Sequence, residues 1–188
     1  MAGELDGAKI LVISTNYGVE QDELVVPVDE LRERGASVTV AAKEQSSIQT
    51  LVGDKDPGKT VEPDMLFDDA DADDFHALII PGGTINADTI RREPGAIALV
   101  AAFADAGKPI AAICHGPWTL VEAGVLSGRT ITSFHTLQTD VRNAGAEWVD
   151  REVEIDDSNG FPIITSRNPG DLPAFVNAIE GALVPVGG

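Results

Sequence analysis

The stretch Lys108-Pro-Ile-Ala-Ala-Ile-Cys-His-Gly-Pro-Trp-Thr-Leu-Val-Glu-Ala-Gly124 limits the possible folds of this chain more than any other. Ile110 to Ile113 form a short run of small apolar residues, which predicts a strand buried on both faces. Cys114, the only cysteine, follows at once, then His115 and Gly116. Pro117 suits the first turn of a helix, and Trp118 to Ala123 give one or two turns that Gly124 stops. Strand, nucleophile-type residue, glycine, helix is the layout of a nucleophile elbow, in which a sharp turn lifts one side chain above a sheet. The helix N-terminus would then favour a thiolate and depress the Cys114 pKa. The pattern is Ala-x-Cys-x-Gly, not Gly-x-Ser-x-Gly, and a buried structural cysteine in a central strand is the competing reading.

The rest of the chain alternates around that elbow. Ala8 to Ser14 is a β-branched apolar run that predicts a central strand, with Asn16, Tyr17 and Gly18 as the loop after it. Glu20 to Arg34 places Leu24, Val25, Val28 and Leu31 at helical spacing and ends at Gly35. Pro27 inside that pattern predicts a kink, or a helix that begins there. Val38 to Ala42 is a second strand. Between Ser46 and Phe75 the alternation pauses, and Ile48–Val52 and Met65–Phe67 read as a hairpin or short strands in a surface excursion. The acids of Asp68 to Asp74 close it; they lack the glycine and glutamate of a calcium loop and read as a solvated turn. His76 to Gly83 predicts a buried strand entering a glycine turn, with His76 structural. Thr84–Arg92 reads as a loop and short helix, and Pro94–Ala106 as a longer helix. Thr130–Phe134 predicts a strand, Asp140–Ala144 a helical turn, and Glu147–Ile155 with Phe161–Ser166 a hairpin. Asp171 is placed to cap a last helix striped by Leu172, Phe175, Val176, Ile179 and Leu183. The expectation is one domain over residues 1–188, a doubly wound three-layer α/β sandwich with a mainly parallel, flavodoxin-like sheet.

Charge narrows the partners. The 188 residues carry 31 Asp and Glu against 13 Lys and Arg, a formal charge of −18. Such a surface repels nucleic-acid backbones and anionic membranes, so neither is expected as a partner. No apolar run reaches membrane-spanning length and the first residues lack a signal-peptide pattern, so a cytoplasmic location is expected. A single cysteine allows no internal disulfide. No cofactor is expected, and no metal, because Cys114 and His115 are adjacent and no second cysteine exists.

In a doubly wound sheet the ligand site lies beyond the carboxyl ends of the strands. The loop after Ser14, the turn after Pro81 and the elbow should therefore meet there. Cys114 offers a thiol and Glu20 can reach it from the first loop. Gly82 and Gly83 offer unobstructed backbone N–H groups for an oxyanion hole, or are simple turn glycines.

Several linked motifs carry a family resemblance: Ala112-Ile-Cys-His-Gly-Pro-Trp118, Ile80-Pro-Gly-Gly83, Glu20 ahead of Leu24–Pro27, Asn143-Ala-Gly-Ala-Glu-Trp148 and Thr165-Ser-Arg-Asn-Pro169. Together they resemble the PfpI family, small cysteine enzymes on the class I glutamine amidotransferase-like fold. The resemblance implies Cys114 as nucleophile, His115 as its base or acid, and Glu20 as the carboxyl on the sulfur. It implies Gly83 and His115 as oxyanion donors. It further implies an acid that approaches the histidine across a subunit contact, here Asp88, and hence a homo-oligomer, dimer or hexamer. Phe134 stands where some relatives carry a tyrosine, and His135 beside it is a candidate rim residue. Three activities follow, in this order: a deglycase or glyoxalase acting on small dicarbonyls or their glycation adducts and releasing lactate, a peptidase, and a redox-sensing stress chaperone. Glutamine amidotransfer is disfavoured, because no His-x-Glu pair follows Cys114.

Overall fold

The computed structural model describes residues 4–184. Their elements, in chain order, are β1 (Lys9–Ser14), β2 (Tyr17–Glu20), α1 (Gln21–Glu33), β3 (Ser37–Ala42), β4 (Ile48–Val52), β5 (Asp56–Val61), β6 (Met65–Leu66), β7 (Ala77–Ile80), α2 (Thr84–Ile90), α3 (Pro94–Asp105), β8 (Ile110–Ile113), α4 (Pro117–Glu122), β9 (Thr130–Ile131), α5 (Gln138–Asn143), β10 (Glu147–Trp148), β11 (Glu154–Asp156), β12 (Ile163–Ser166) and α6 (Leu172–Leu183). Seven strands make the main sheet in the order β11-β12-β8-β7-β1-β3-β6. Its pairings are parallel except at one edge, where β11 runs antiparallel to β12. This is the mainly parallel α/β sheet that the alternation predicts.

Period-two side-chain alternation divides the core between the sheet's two faces. Leu11, Ile13, Leu78, Ile80, Ile110, Ala112 and Ile163 point into one layer, with Leu99, Val100 and Phe103 of α3. Ile10, Val12, Ile79, Ala111, Ile113 and Ile164 point into the other, with Leu24, Val28 and Leu31 of α1 and Phe175, Val176 and Ile179 of α6. The central strands are therefore apolar on both faces, which is why their sequences read as unbroken runs.

Four local expectations change. First, α1 starts at Gln21 and holds Pro27 within it. The helix therefore does not begin at the proline, whose missing N–H leaves the Glu23 carbonyl without its i+4 donor. Second, the run at Thr130–Phe134 pairs only at Thr130–Ile131, against Glu147–Trp148. Third, the arm of the hairpin predicted for Glu147–Ile155 is thereby split, and only Glu154–Asp156 pairs with β12. Fourth, Asp171 precedes α6 but makes no side-chain cap. Its carboxylate instead accepts from the Arg167 backbone N–H and from Nε and Nη2 of the same arginine, each at 2.9 Å. Charge-assisted, two-pronged bonds to a guanidinium outcompete a single capping amide.

The surface excursion has a definite form. β4 and β5 pair antiparallel, and β2 joins β4 in a separate three-stranded sheet. The turn between β4 and β5 holds Gly53 and Asp54, both at positive φ. His76 is structural, its Nδ1 accepting from Lys9 N at 2.9 Å.

Candidate active site at the Cys114 elbow

β8 ends at Ile113, and the next residue turns sharply: Cys114 has φ 62°, left-handed backbone that L-residues rarely adopt. Both of its backbone groups are tied down. Its N–H donates to Ser166 O at 3.0 Å, and its carbonyl accepts from Phe134 N at 2.8 Å. Strain of this kind persists only where the surroundings over-determine it, and it clusters at functional sites. The side chain is thereby lifted off the strand, as the elbow reading requires.

The carboxyl at the sulfur belongs to Glu23, not Glu20. Glu23 is fully buried and interacts with the Cys114 thiol, and its Oε2 accepts from Gly82 N at 2.8 Å. Its Oε1 has no hydrogen-bond partner among the described residues. Glu20 lies just before the helix, and its carboxylate turns outward to accept from Gly53 N at 3.1 Å and Asp54 N at 3.2 Å. One helical turn decides the difference, since Glu23 shares the buried face of α1 with Leu24, Pro27, Val28 and Leu31. An acid on an apolar stripe was the available signal for it. Gly82 also changes role: its N–H is committed to Glu23, so it is not an oxyanion donor. The N–H groups of Gly83 and His115 point at the sulfur.

Burial sets the protonation states. It pushes the Glu23 carboxyl up to about 8, against the opposing influence of the neighbouring thiol and of the Gly82 N–H. It also pushes the Cys114 thiol up, not down, and an ionised Glu23 adds to that push; the His115 and Gly83 N–H groups oppose it. The depressed thiol expected from the helix N-terminus is overturned, because the six-residue α4 cannot offset desolvation of a side chain left 6% exposed. Burial lowers His115 as well, with Asp54 raising it and His135 lowering it further. At neutral pH the sulfur thus lies between a neutral acid and a neutral base.

His115 Nδ1 is 3.2 Å from Cys114 Sγ. The ring is held by stacking on Phe134, centroids 4.6 Å apart, and by the edge of Trp118 at 5.3 Å. Trp118 is itself fixed by donating from Nε1 to Asp140 at 2.8 Å. On the far side, His115 Nε2 lies 3.3 Å from the Thr84 hydroxyl. Phe134 therefore packs in the site, while exposed His135 tilts against it at 4.4 Å. Both line a polar hollow of about 220 Å³ shared with Trp148, Asp150 and Arg167. Asp88 is exposed on α2 and makes no hydrogen bond or ion pair among the described residues. Sequence reasoning missed Glu23, Thr84, Asp54 and Trp118. No group of three or more His, Cys, Asp or Glu suited to a metal ion occurs among the described residues. Nor is any described helix long and apolar enough to cross a membrane.

The model of the DJ-1/PfpI family matches residues 8–180. The chain belongs to the DJ-1/PfpI family. A family member named deglycase TK1284, from Thermococcus kodakarensis, is 41% identical over 168 residues, covering 89% of this chain and 95% of the relative. General stress protein 18 of Bacillus subtilis is 38% identical, over 90% of this chain and 94% of its own. The crystal structure of Drosophila melanogaster DJ-1beta superposes with a TM-score of 0.82 at 28% identity, covering 98% and 91% of the two chains. The PfpI resemblance read from the elbow and glycine-turn motifs is thus borne out across the sheet.

The protonated Glu23 has a thermodynamic signature. Its folded pKa of about 8 stands above the ordinary carboxyl value of 4.5, so its contribution to stability is full below about pH 4.5 and is lost as pH rises towards 8. Over that window the wild type should lose a few kcal/mol more stability than Glu23→Gln. Paired denaturant titrations at pH 5 and 8 check this. Equal losses in the two proteins would mean that Glu23 is ionised when folded.

Proposed function

We propose that this chain is a cysteine-dependent deglycase, acting on reactive dicarbonyls or their early adducts on amines and releasing lactate. One observation carries the reading: the Cys114 sulfur lies between a carboxyl that holds its proton to about pH 8 and a histidine kept neutral by burial. Converting a 2-oxoaldehyde to a 2-hydroxyacid needs a proton taken from one carbon and returned to the next, and groups that titrate near neutrality do this well. The name of the Thermococcus relative agrees with the same chemistry.

In this mechanism the thiol passes its proton to His115 Nδ1 as the sulfur attacks the aldehyde carbon. Glu23 protonates the oxygen, giving a hemithioacetal. With an amine adduct, the S–C bond forms as the C–N bond breaks, and the amine leaves with the Glu23 proton. The Glu23 carboxylate then removes the hydrogen from that carbon, and the histidinium protonates the neighbouring carbonyl oxygen. An enediol results. Glu23 returns the proton to the second carbon while His115 takes one from the first oxygen, leaving a lactoyl thioester. The Glu23 carboxylate takes a proton from the attacking water and the histidinium returns its own to the departing sulfur, so that the thioester is cleaved to lactic acid and the thiol, Glu23 and His115 regain their starting protonation states. The N–H groups of Gly83 and His115 are the candidate donors to the oxyanion at each addition.

The test is to incubate the protein with a methylglyoxal adduct of Nα-acetyl-lysine and measure lactate and free amine together. They should appear in equal amounts. Cleavage of denatured casein with no lactate from the adduct would replace this reading with a peptidase.

A further inference from the structure

We propose that Asp54, acting through the Thr84 hydroxyl, fixes the tautomer of His115 from within its own chain, so that the nitrogen facing the Cys114 thiol is the one able to accept a proton. The direction follows from counting donors. The Asp54 carboxylate only accepts, and it takes two bonds from Thr84: from N at 2.8 Å to Oδ1, and from the hydroxyl at 2.6 Å to Oδ2. The single hydroxyl hydrogen is then spent on Asp54. Towards His115 Nε2, 3.3 Å away, Thr84 Oγ1 can offer only a lone pair. Nε2 must therefore carry the ring proton, and Nδ1, 3.2 Å from Sγ, is left bare. The thiol is pushed towards its protonated form by burial, so an accepting nitrogen at that place is what attack requires.

The excursion supplies the acid. Asp54 sits in the β4–β5 turn at φ 58°, a conformation Asp tolerates better than most residues. Glu20 clamps that turn by accepting from the Gly53 and Asp54 amides. Glu20 is thus a positioning residue four contacts from the sulfur, behind Asp54, Thr84 and His115, and Thr84 and Asp54 are positioning residues nearer to it.

This role rests on the cysteine chemistry proposed above, but its test reads the imidazole directly. The ¹⁵N shifts of His115 report which nitrogen is protonated whether or not lactate forms, so failure of the function and failure of the relay are distinguishable. The wild type should show the Nε2–H form. In Asp54→Asn the Thr84 N–H keeps the side-chain oxygen, and the new amide donates to the hydroxyl. The hydroxyl hydrogen then swings to Nε2, and the ring should shift to Nδ1–H. Turnover should fall about tenfold, well short of the factor of about 10⁴ for the acid of a serine triad, because Asp54 is exposed and acts through a hydroxyl. Thr84→Ser should retain both the wild-type tautomer and the rate. Thr84→Val, which lacks the acceptor, should lose the Nε2–H preference, providing a second route if the Asn variant folds poorly. An Nδ1–H tautomer in the wild type, or the same tautomer in the wild type, Asp54→Asn and Thr84→Val, would overturn the proposal.

Discussion

Cys114→Ala should release no measurable lactate, a loss on the order of 10⁴ or more, because deleting a covalent nucleophile removes the whole route and not one interaction. Stability offers a second reading at the same position. An alanine at φ 62° keeps the left-handed strain of roughly 1–2 kcal/mol, which a glycine does not feel. Glycine's greater freedom when unfolded offsets roughly 0.4–1 kcal/mol of that gain. Cys114→Gly should therefore be as inactive as Cys114→Ala yet more stable, by about 0.5 kcal/mol. At an ordinary buried position the order would be reversed, so denaturant midpoints of the two variants check the elbow geometry independently of any assay. A glycine variant weaker than the alanine variant would mean that the backbone at Cys114 is unstrained.

The second large effect is expected at Gly116. Its φ of −50° is ordinary, so the constraint is space alone. A Cβ there would lie 2.5 Å from Ile80 O and 2.9 Å from Ile113 O, and both oxygens belong to central strands that cannot swing aside. Gly116→Ala should cost about 1–3 kcal/mol of stability by overpacking. The elbow must move to relieve the clash, and a displacement of about 1 Å at the reacting atom costs roughly a hundredfold in rate. Gly181→Ala is the control. Among the described residues, no atom outside its own helical backbone lies within 4 Å of its added Cβ, and in α6 it should gain stability and leave turnover unchanged. Wild-type lactate release from Gly116→Ala would show that the elbow is looser than its contacts imply.

How much of this was legible in the chain depended on how each signal is built. β1, β7 and β8 announce themselves because burial on both faces demands uninterrupted apolar runs, and the Cys-His-Gly-Pro pattern marks the turn between strand and helix. β6, β9 and β10 are two residues each, too short for any period to register. Glu20 and Glu23 look alike as letters. The register of α1 against the sheet separates them, one facing the surface turn and the other the sulfur. Asp54 carries no local mark at all: it reaches Thr84, beside His115, only because β2 and β4 pair and bring a distant turn to the mouth of the site. The misjudged thiol has the same root, since the helix end was visible in the sequence and the enclosing walls were not.

The order of strands in the main sheet also bears on how this protein is made. The nucleophile strand β8 is flanked by β7, already synthesised, and by β12, which begins at Ile163. The Cys114 amide is anchored on Ser166, some fifty residues downstream. A nascent chain that has just released the elbow from the ribosome thus has no partner for one edge of β8 and nothing to hold the left-handed turn. The Phe134 N–H can take the Cys114 carbonyl earlier, but the turn gains its second anchor only after β12 has emerged and inserted between β8 and β11. Until then the single cysteine is an open thiol on an unfinished sheet, so the interval between residues 114 and 166 is when this protein is most exposed to unwanted chemistry and mispairing.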